Sequence, residues 1–241
     1  MKLGESDLIL SLLAADGSQL RAVAKGARKP GNSFASRLEL YSCAEILCSK
    51  GRNLDIVKEA RLLEGNEILR SEIEYSAGAA PMAELLDKIT QSALAQAKLF
   101  EMTKVALATL SQVSVECIPS ITAAHLLKTL AFVGLRPSLE ACATCGSAVL
   151  GNQTQTLVAL SYREGGILCE QCAATYDTIM LDGATIVWSR YLLNSPFAQI
   201  ASEHMGPREA FAVVHLCQSW IREHVGVQLK SLKFLAASGL F

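Results

Sequence analysis

Nowhere in this sequence does an apolar run approach the length that crosses a bilayer. Even residues 123–135 are interrupted by His125 and Lys128, and a spanning helix needs roughly 20 apolar residues. The opening Met1-Lys2-Leu3-Gly4-Glu5 has no secretory character, so a cytoplasmic location without a membrane role is expected. Neither a Walker-type phosphate loop nor a dinucleotide fingerprint occurs, which leaves ATP or NAD chemistry unsupported. Internal repeats and low-complexity segments are also missing. No spacing pairs a nucleophile with a base. Cys43 and Cys48 lie an odd number of positions apart and would point to opposite faces of a strand. His215 and Cys217 face different directions on a helix, and Cys217 and His224 share a face about two turns apart, too far for a hydrogen bond. His125 follows an apolar helical pattern and reads as a packed or surface histidine, His204 as a loop residue, and Trp188 and Trp220 as helix-packing aromatics.

Charge is scarce as well, at 19% of residues with a formal net of −1. Spread evenly, it would argue against a polyanion partner. It is not spread evenly: residues 21–60 carry eight basic and four acidic side chains, whereas residues 61–120 carry five basic and eight acidic ones. A basic first module that attracts phosphate and an acidic second module are expected. The 51% hydrophobic content over 241 residues is enough for one large core or two ordinary ones.

The sharpest chemical signal is a pair of cysteine turns, Cys142-Ala-Thr-Cys145-Gly146 and Cys169-Glu-Gln-Cys172, separated by 23 residues. Each Cys-x-x-Cys turn aims two thiolates at one point, and two turns complete the closed tetrahedral sulfur shell of a structural zinc ion. Gly146 and Gly165-Gly166 suit tight knuckles. The competing reading is two unrelated redox or core pairs. Eight cysteines in a chain without an export signal favour reduced thiols and metal over disulfides. A catalytic zinc with an open position would need a nearby acid or base, and Glu170 is the only acidic residue inside a knuckle.

Along the chain, residues 7–14 and 19–25 read as a hairpin about Asp16-Gly17, and residues 37–49 and 53–63 as two further strands joined through Lys50-Gly51-Arg52-Asn53. Four short strands without helical period between them predict a small antiparallel barrel or sandwich. After Glu64 the period becomes helical. Pro81 is expected in a first helical turn, followed by helices over 94–110 and 119–133, the latter ended by Gly134 and Pro137. The cysteine module, about residues 139–176, interrupts this region before helices over 184–193 and 207–225. The predicted fold is thus α+β and multidomain, with a β domain at 1–64 and a helical domain at 65–241.

Gly4-Glu5-Ser6-Asp7-Leu8-Ile9-Leu10 and the later run from Leu20-Arg21-Ala22-Val23-Ala24-Lys25 to Gly26-Ala27-Arg28-Lys29-Pro30 carry a family likeness. Arg37-Leu38-Glu39, Asn53-Leu54-Asp55, the Cys-x-x-Cys-Gly knuckle, Gly165-Gly166-Ile167-Leu168-Cys169 and the closing Leu229-Lys230-Ser231-Leu232-Lys233-Phe234-Leu235 continue it. Together they resemble the bacterial RecO family of recombination and repair mediators, over nearly the whole chain. The resemblance implies an N-terminal OB fold, a helical bundle and an inserted four-cysteine zinc module. RecO-like chains carry further residues before the Gly-Glu-Ser-Asp stretch that form the first strand of the barrel. An OB fold has five strands, so either Met1 is a misplaced start or the barrel lacks its first strand and has an open edge.

The basic stretch from Lys25 to Arg37 looks like a flexible cationic loop whose glycines and cations would meet phosphate. With its neighbours it supplies the candidate nucleic-acid contacts Arg21, Lys25, Arg28, Lys29, Arg37, Lys50 and Arg52. Phe34 and Tyr41 could stack on bases, or Phe34 could anchor its loop while Tyr41 lines the barrel. The candidate metal ligands are Cys142, Cys145, Cys169 and Cys172. The resemblance implies a non-enzymatic mediator that binds single- and double-stranded DNA and anneals complementary strands. With RecR, it would help load RecA onto gaps coated with single-strand binding protein. That protein's acidic, phenylalanine-ended tail would need an apolar groove with a basic rim, for which Lys128, Arg136, Arg163 and Arg190 are candidates by charge alone. The alternative is a zinc-ribbon adaptor that binds only protein.

Overall fold

The computed structural model describes residues 2–3 (by backbone alone), 5–29, 31–32, 34–92, 95–149 and 157–241. Met1 and Gly4, Pro30 and Ser33 of the basic stretch, and Leu94 at an expected helix start lie outside the described residues. No helix among the described residues is long and apolar enough to cross a membrane.

The N-terminal part is a five-stranded sheet of β1 (Lys2–Leu3), β2 (Asp7–Leu13), β3 (Gln19–Ala24), β4 (Cys43–Ser49) and β5 (Asp55–Glu64), in the order β1-β2-β3-β5-β4. All neighbours are antiparallel except β3 and β5, where Ala22 faces Asp55 and Val23 faces Ile56. The expected hairpin is present, with Leu13 opposite Gln19 and Gly17 in the left-handed region at φ 83°. A fifth strand, the two-residue β1, joins the four read from sequence and pairs Lys2 with Leu8. Residues 37–42 depart from the expected strand. Phe34–Arg37 forms one helical turn, α1, and Tyr41 takes a left-handed φ of 65°. Asn32 accounts for the turn: its side-chain oxygen accepts from the Phe34 N–H at 2.8 Å, an oxygen cap that competes with extended pairing.

The helical part comprises α2 (Ile68–Ser71), α3 (Ile73–Ile89), α4 (Ala97–Leu110), α5 (Ile118–Phe132), α6 (Glu170–Ala173), α7 (Gly183–Asn194), α8 (Phe197–Ser202), α9 (Pro207–His224) and α10 (Lys230–Ala237). A three-stranded sheet, in the order β7-β6-β8, lies between α5 and α7 in sequence and is built from β6 (Leu157–Ser161), β7 (Gly166–Ile167) and β8 (Ile179–Asp182). α5 is buried from Ile118 to Leu127 and packs against α3, α4, α7, α8 and α9, so it is the axis of this part. It closes as expected at Gly134 (φ 82°), with Leu135 N–H donating to Leu130 O and Gly134 N–H to Ala131 O, the paired bonds of a glycine-capped helix end.

Pro81 overturns its sequence assignment, because α3 begins at Ile73 and carries Pro81 in its interior. Packing outweighs the lost hydrogen bond. The Ala77-Gly78-Ala79 stretch lets α5 approach so closely that a Cβ on Gly78 would sit 2.3 Å from Ile118 Cγ2. The Thr122 hydroxyl lies 3.0 Å from the Gly78 carbonyl in the same disturbed turn, a partner of the kind that re-satisfies backbone near an interior proline.

Two hydrophobic cores result. The large one fills the helical part, and Trp220 is its bulkiest fully buried side chain. The small one, under the first sheet, is mostly alanine: Ala22, Ala24, Ala27 and Ala60 with Leu38 and Val57. So little buried apolar surface stabilises the sheet weakly by itself. Docking supplements it. Gln19 N–H donates to Gln91 O at 3.1 Å, Ser11 Oγ donates to Asp87 at 2.7 Å, and Gly17 abuts Gln96 so tightly that a Cβ would lie 2.0 Å from its carbonyl oxygen. On the other flank, Arg70 bonds Glu39 at 2.9 Å and the Leu40 and Gly65 carbonyls, while Asn66 donates to Tyr41 O.

Candidate nucleic-acid interface and metal centre

The four cysteines converge. Cys142 N–H donates to Ser147 O and Gly146 N–H to Cys142 O, folding the first knuckle around a left-handed Gly146 (φ 76°). Ala143 N–H donates to Ile167 O and Ile167 N–H to Ser138 O, which strap this knuckle to β7. Gly166 is required for that strap, since a Cβ there would stand 2.2 Å from Ser138 O. Cys169 caps α6, and Cys172 follows within its single turn.

All four sulfurs lie within 4.8 Å of one another, and Cys145 and Cys169 are 3.7 Å apart. A tetrahedron of roughly 2.3 Å metal–sulfur bonds has edges of about 3.8 Å, so the cluster could hold a metal ion. Burial alone would raise the Cys142 thiol, but backbone N–H groups of Cys145, Cys169 and Thr144 aimed at its sulfur bring it down to about 6. Cys169 is lowered mainly by the Cys172 N–H, whereas Cys172, hydrogen-bonded to Cys169, is pushed up to about 12. Crowded sulfurs resist a last negative charge, and a cation among them removes that resistance.

The seven candidate cations are all exposed, but they do not form one group. Lys25, Arg28 and Lys29 gather in the turn after β3. This turn is built rather than open: Gly26 N–H donates to Asp7 at 2.8 Å, Arg28 N–H to Ser6 O, the Arg28 guanidinium to Glu5 O at 3.1 Å, and Asn32 to Gly26 O. The loop expected to be flexible is therefore hydrogen-bonded over its described residues. Lys50 and Arg52 occupy the β4–β5 turn, which the parallel β3–β5 register sets toward the opposite end of the sheet. Arg21 stands between them on β3, opposite Ser11. Arg37 donates to Ala60 O at 3.0 Å and lines a cavity of about 640 Å³ with Lys58 and Arg61, two cations that sequence reasoning passed over. Lys58 is the extra residue of a bulge between the Leu47–Glu59 and Cys48–Val57 pairs, which no periodicity signals. Phe34 packs on the small core and so anchors its loop, while Tyr41 packs against the helical core rather than the sheet's own.

A second cavity, of about 660 Å³, opens between α4, α5 and the α7–α8 junction. Met102, Val105, Phe132 and Phe197 give it an apolar wall, Lys128 and Arg136 a basic rim, and Glu101 one acidic edge. Lys128 donates to the Leu193 and Ser195 carbonyls at 2.8 Å and lies 5.7 Å over the Phe197 ring. Burial, then the nearby Arg136, lowers its pKa to about 8. Of the four cations named by charge, the structure brings Lys128 and Arg136 to this cavity, and Arg163 and Arg190 do not line it. The apolar wall draws on helices far apart in sequence, which is why no local pattern exposed it. His125 is fully buried beside Thr103 (3.1 Å), and burial lowers its pKa to about 3, leaving a neutral packing residue.

Comparison with known proteins gives a consistent result over both parts. A family model described as recombination protein O N terminal matches residues 1–66, and one described as recombination protein O C terminal matches residues 70–233. A "DNA repair protein RecO" from Desulfitobacterium hafniense is 34% identical over 170 residues, covering 70% of this chain and 59% of that protein. The chain thus spans less than two thirds of that relative's length. A protein of the same description from a Roseiflexus species is 30% identical over 235 residues, 96% of this chain and 80% of the relative, and one from Alkaliphilus metalliredigens is 25% identical over 225 residues.

Proposed function

The chain belongs to the RecO family, and on that premise we propose that it is a DNA repair and recombination mediator that works by binding, with no chemical step. The first sheet is taken as an OB-like barrel: its strand order with one parallel step suits a partly open five-stranded Greek-key barrel. Residues 1–64 would form the nucleic-acid module and residues 65–241 the helical body. The observation that carries the reading is the set of exposed cations around the sheet, Lys25, Arg28 and Lys29 at one end, Lys50 and Arg52 at the other and Arg21 between.

Such cations neutralise phosphates and release condensed counterions without reading sequence. A surface that neutralises two strands at once lowers their mutual repulsion, and weak contacts let complementary strands search for register. Single- and double-stranded DNA are both expected ligands. Cys142, Cys145, Cys169 and Cys172 would hold one structural zinc ion, which when bound supplies a closed sulfur-ligated crosslink and no catalysis. The chain's own residues shape the knuckles, through Gly146, Gly166 and the strap to Ser138.

The α4–α5–α7 cavity fits the acidic, phenylalanine-ended tail of single-strand binding protein, its apolar wall taking the ring and Lys128 and Arg136 the carboxylates. Docking there would bring the protein to coated gaps in the cytoplasm, where with RecR it would help RecA load. Fluorescence anisotropy with labelled oligonucleotides at several salt concentrations tests the reading. Six phosphate contacts on a single strand predict a log–log slope of about −4.2, a loss of roughly three hundredfold between 50 and 200 mM salt. Absence of binding in dilute buffer would leave the protein-only adaptor in its place.

A further inference from the structure

We propose that the path for single-stranded nucleic acid runs off the first sheet at Arg21 and continues across the helical body along Lys88 of α3 and Lys230, Lys233 and Phe234 of α10. This rests on the DNA-binding reading and extends its site. The contacts that join the two parts lay the path out. Arg21 stands opposite Ser11, and Ser11 donates to Asp87, the neighbour of Lys88. One turn earlier on α3, Glu84 accepts the N–H groups of Lys230 at 3.1 Å and Ser231 at 2.9 Å, which seats the start of α10 beside Lys88. Lys230, Lys233 and Phe234 then share the solvent face of α10, opposite the buried Leu232 and Leu235.

Cations outnumber carboxylates along this path, Arg21, Lys88, Lys230 and Lys233 against Glu84 and Asp87, with Lys88 acting on Glu84. Its two carboxylates are engaged by the protein: Asp87 accepts from Ser11 and Gln19, and Glu84 from Lys230, Ser231 N–H and the Ser231 hydroxyl. Among the described residues Lys88, Lys230 and Lys233 form no ion pair. Phe234 is 50% exposed, directly after Lys233 and one turn on from Lys230. Ammonium groups beside a bare aromatic ring match a strand that offers both phosphates and base faces. An acidic peptide would satisfy the lysines but would not explain continuity with the sheet cations.

The test compares the full chain with the triple variant K88A/K230A/K233A and with F234A, using fluorescein-labelled oligo-dT of about 8 and about 25 nucleotides, a short one held by a single OB fold and a longer one. The triple variant should bind the long strand at least tenfold more weakly, with a salt slope smaller by about 2, and the short strand unchanged. F234A should lower long-strand affinity roughly five- to a hundredfold with an unchanged slope. Glu84 bonds the Lys230 backbone, so the triple variant keeps the seat of α10, and unchanged melting checks this. Equal binding of both strands by variant and wild type overturns the path, as does equal loss of both. Loss of an octaglutamate ligand with DNA binding intact would reassign the face to a protein partner. A wild type that binds neither strand defeats the DNA-binding reading itself.

Discussion

Replacing Gly17 with alanine should release the first sheet from the helical body. Gly17 holds φ 83°, and its missing Cβ would stand 2.0 Å from the Gln96 oxygen, 2.3 Å from its carbonyl carbon and 2.8 Å from its Cα. All three atoms are backbone, so no side chain can swing aside. The left-handed conformation alone costs alanine about 1 kcal/mol, and lifting the hairpin breaks the Gln19–Gln91 and Ser11–Asp87 bonds, each contributing about 1 kcal/mol. A loss of about 3 kcal/mol falls on a sheet whose own core is four alanines, a leucine and a valine, with little to spare. Hydrogen exchange followed by mass spectrometry should show protection lost from β2, β3 and β5 while α5 and α9 stay protected. DNA affinity should fall with it. A variant melting in one transition within about 0.5 kcal/mol of wild type, the scatter of a neutral surface change, would refute the docking argument.

Three further outcomes are expected. Changing Arg28 and Lys29 together to alanine should weaken DNA binding uniformly across sequences and reduce the single-strand salt slope by about 1.4; unchanged affinity in a titration would move the site off this turn. Cys142→Ser should open the sulfur shell, and metal analysis should fall from one ion per chain toward none with a lower melting temperature; a fully stable, metal-loaded variant would count against the cluster. Burial would raise the Glu84 carboxyl, but hydrogen bonds from Ser231 and Lys230 outweigh it and hold it below its ordinary range. Its contribution is therefore present above the unfolded value near 4.5 and is lost as pH falls through the lower folded value. Denaturation of Glu84→Gln should be less acid-sensitive below pH 5, and an identical pH profile would contradict the seat of α10.

The readable parts of this chain were those in which one local rule decides the outcome. Asp16-Gly17 permits a tight turn, each Cys-x-x-Cys turn aims two thiols at one point, and Gly134 can end a helix that leucine and alanine sustain. Pro81 was misread because the cost of an interior proline was settled by α5, a partner some forty residues away in sequence. The turn at Phe34 was missed because Asn32 caps it locally within a stretch that glycines and cations marked as a flexible loop. Lys58 entered the cationic group through a bulge, which breaks the two-residue alternation. The apolar wall of the larger cavity depended on three elements meeting, and no window of sequence contains them all.

Trp220 donates its indole N–H to Leu135 O at 2.9 Å and meets Tyr162 edge-on at 6.1 Å. Tyr162 opens the turn that leads into β7, to which the first knuckle is strapped. The indole is therefore a native optical gauge on the cysteine module. If the cluster holds the proposed ion, stripping it should let Tyr162 drift and water reach the ring, shifting ultraviolet emission to longer wavelength. The only other tryptophan, Trp188, sits on α7 edge-on to Tyr191, so a W188F variant would isolate the Trp220 signal.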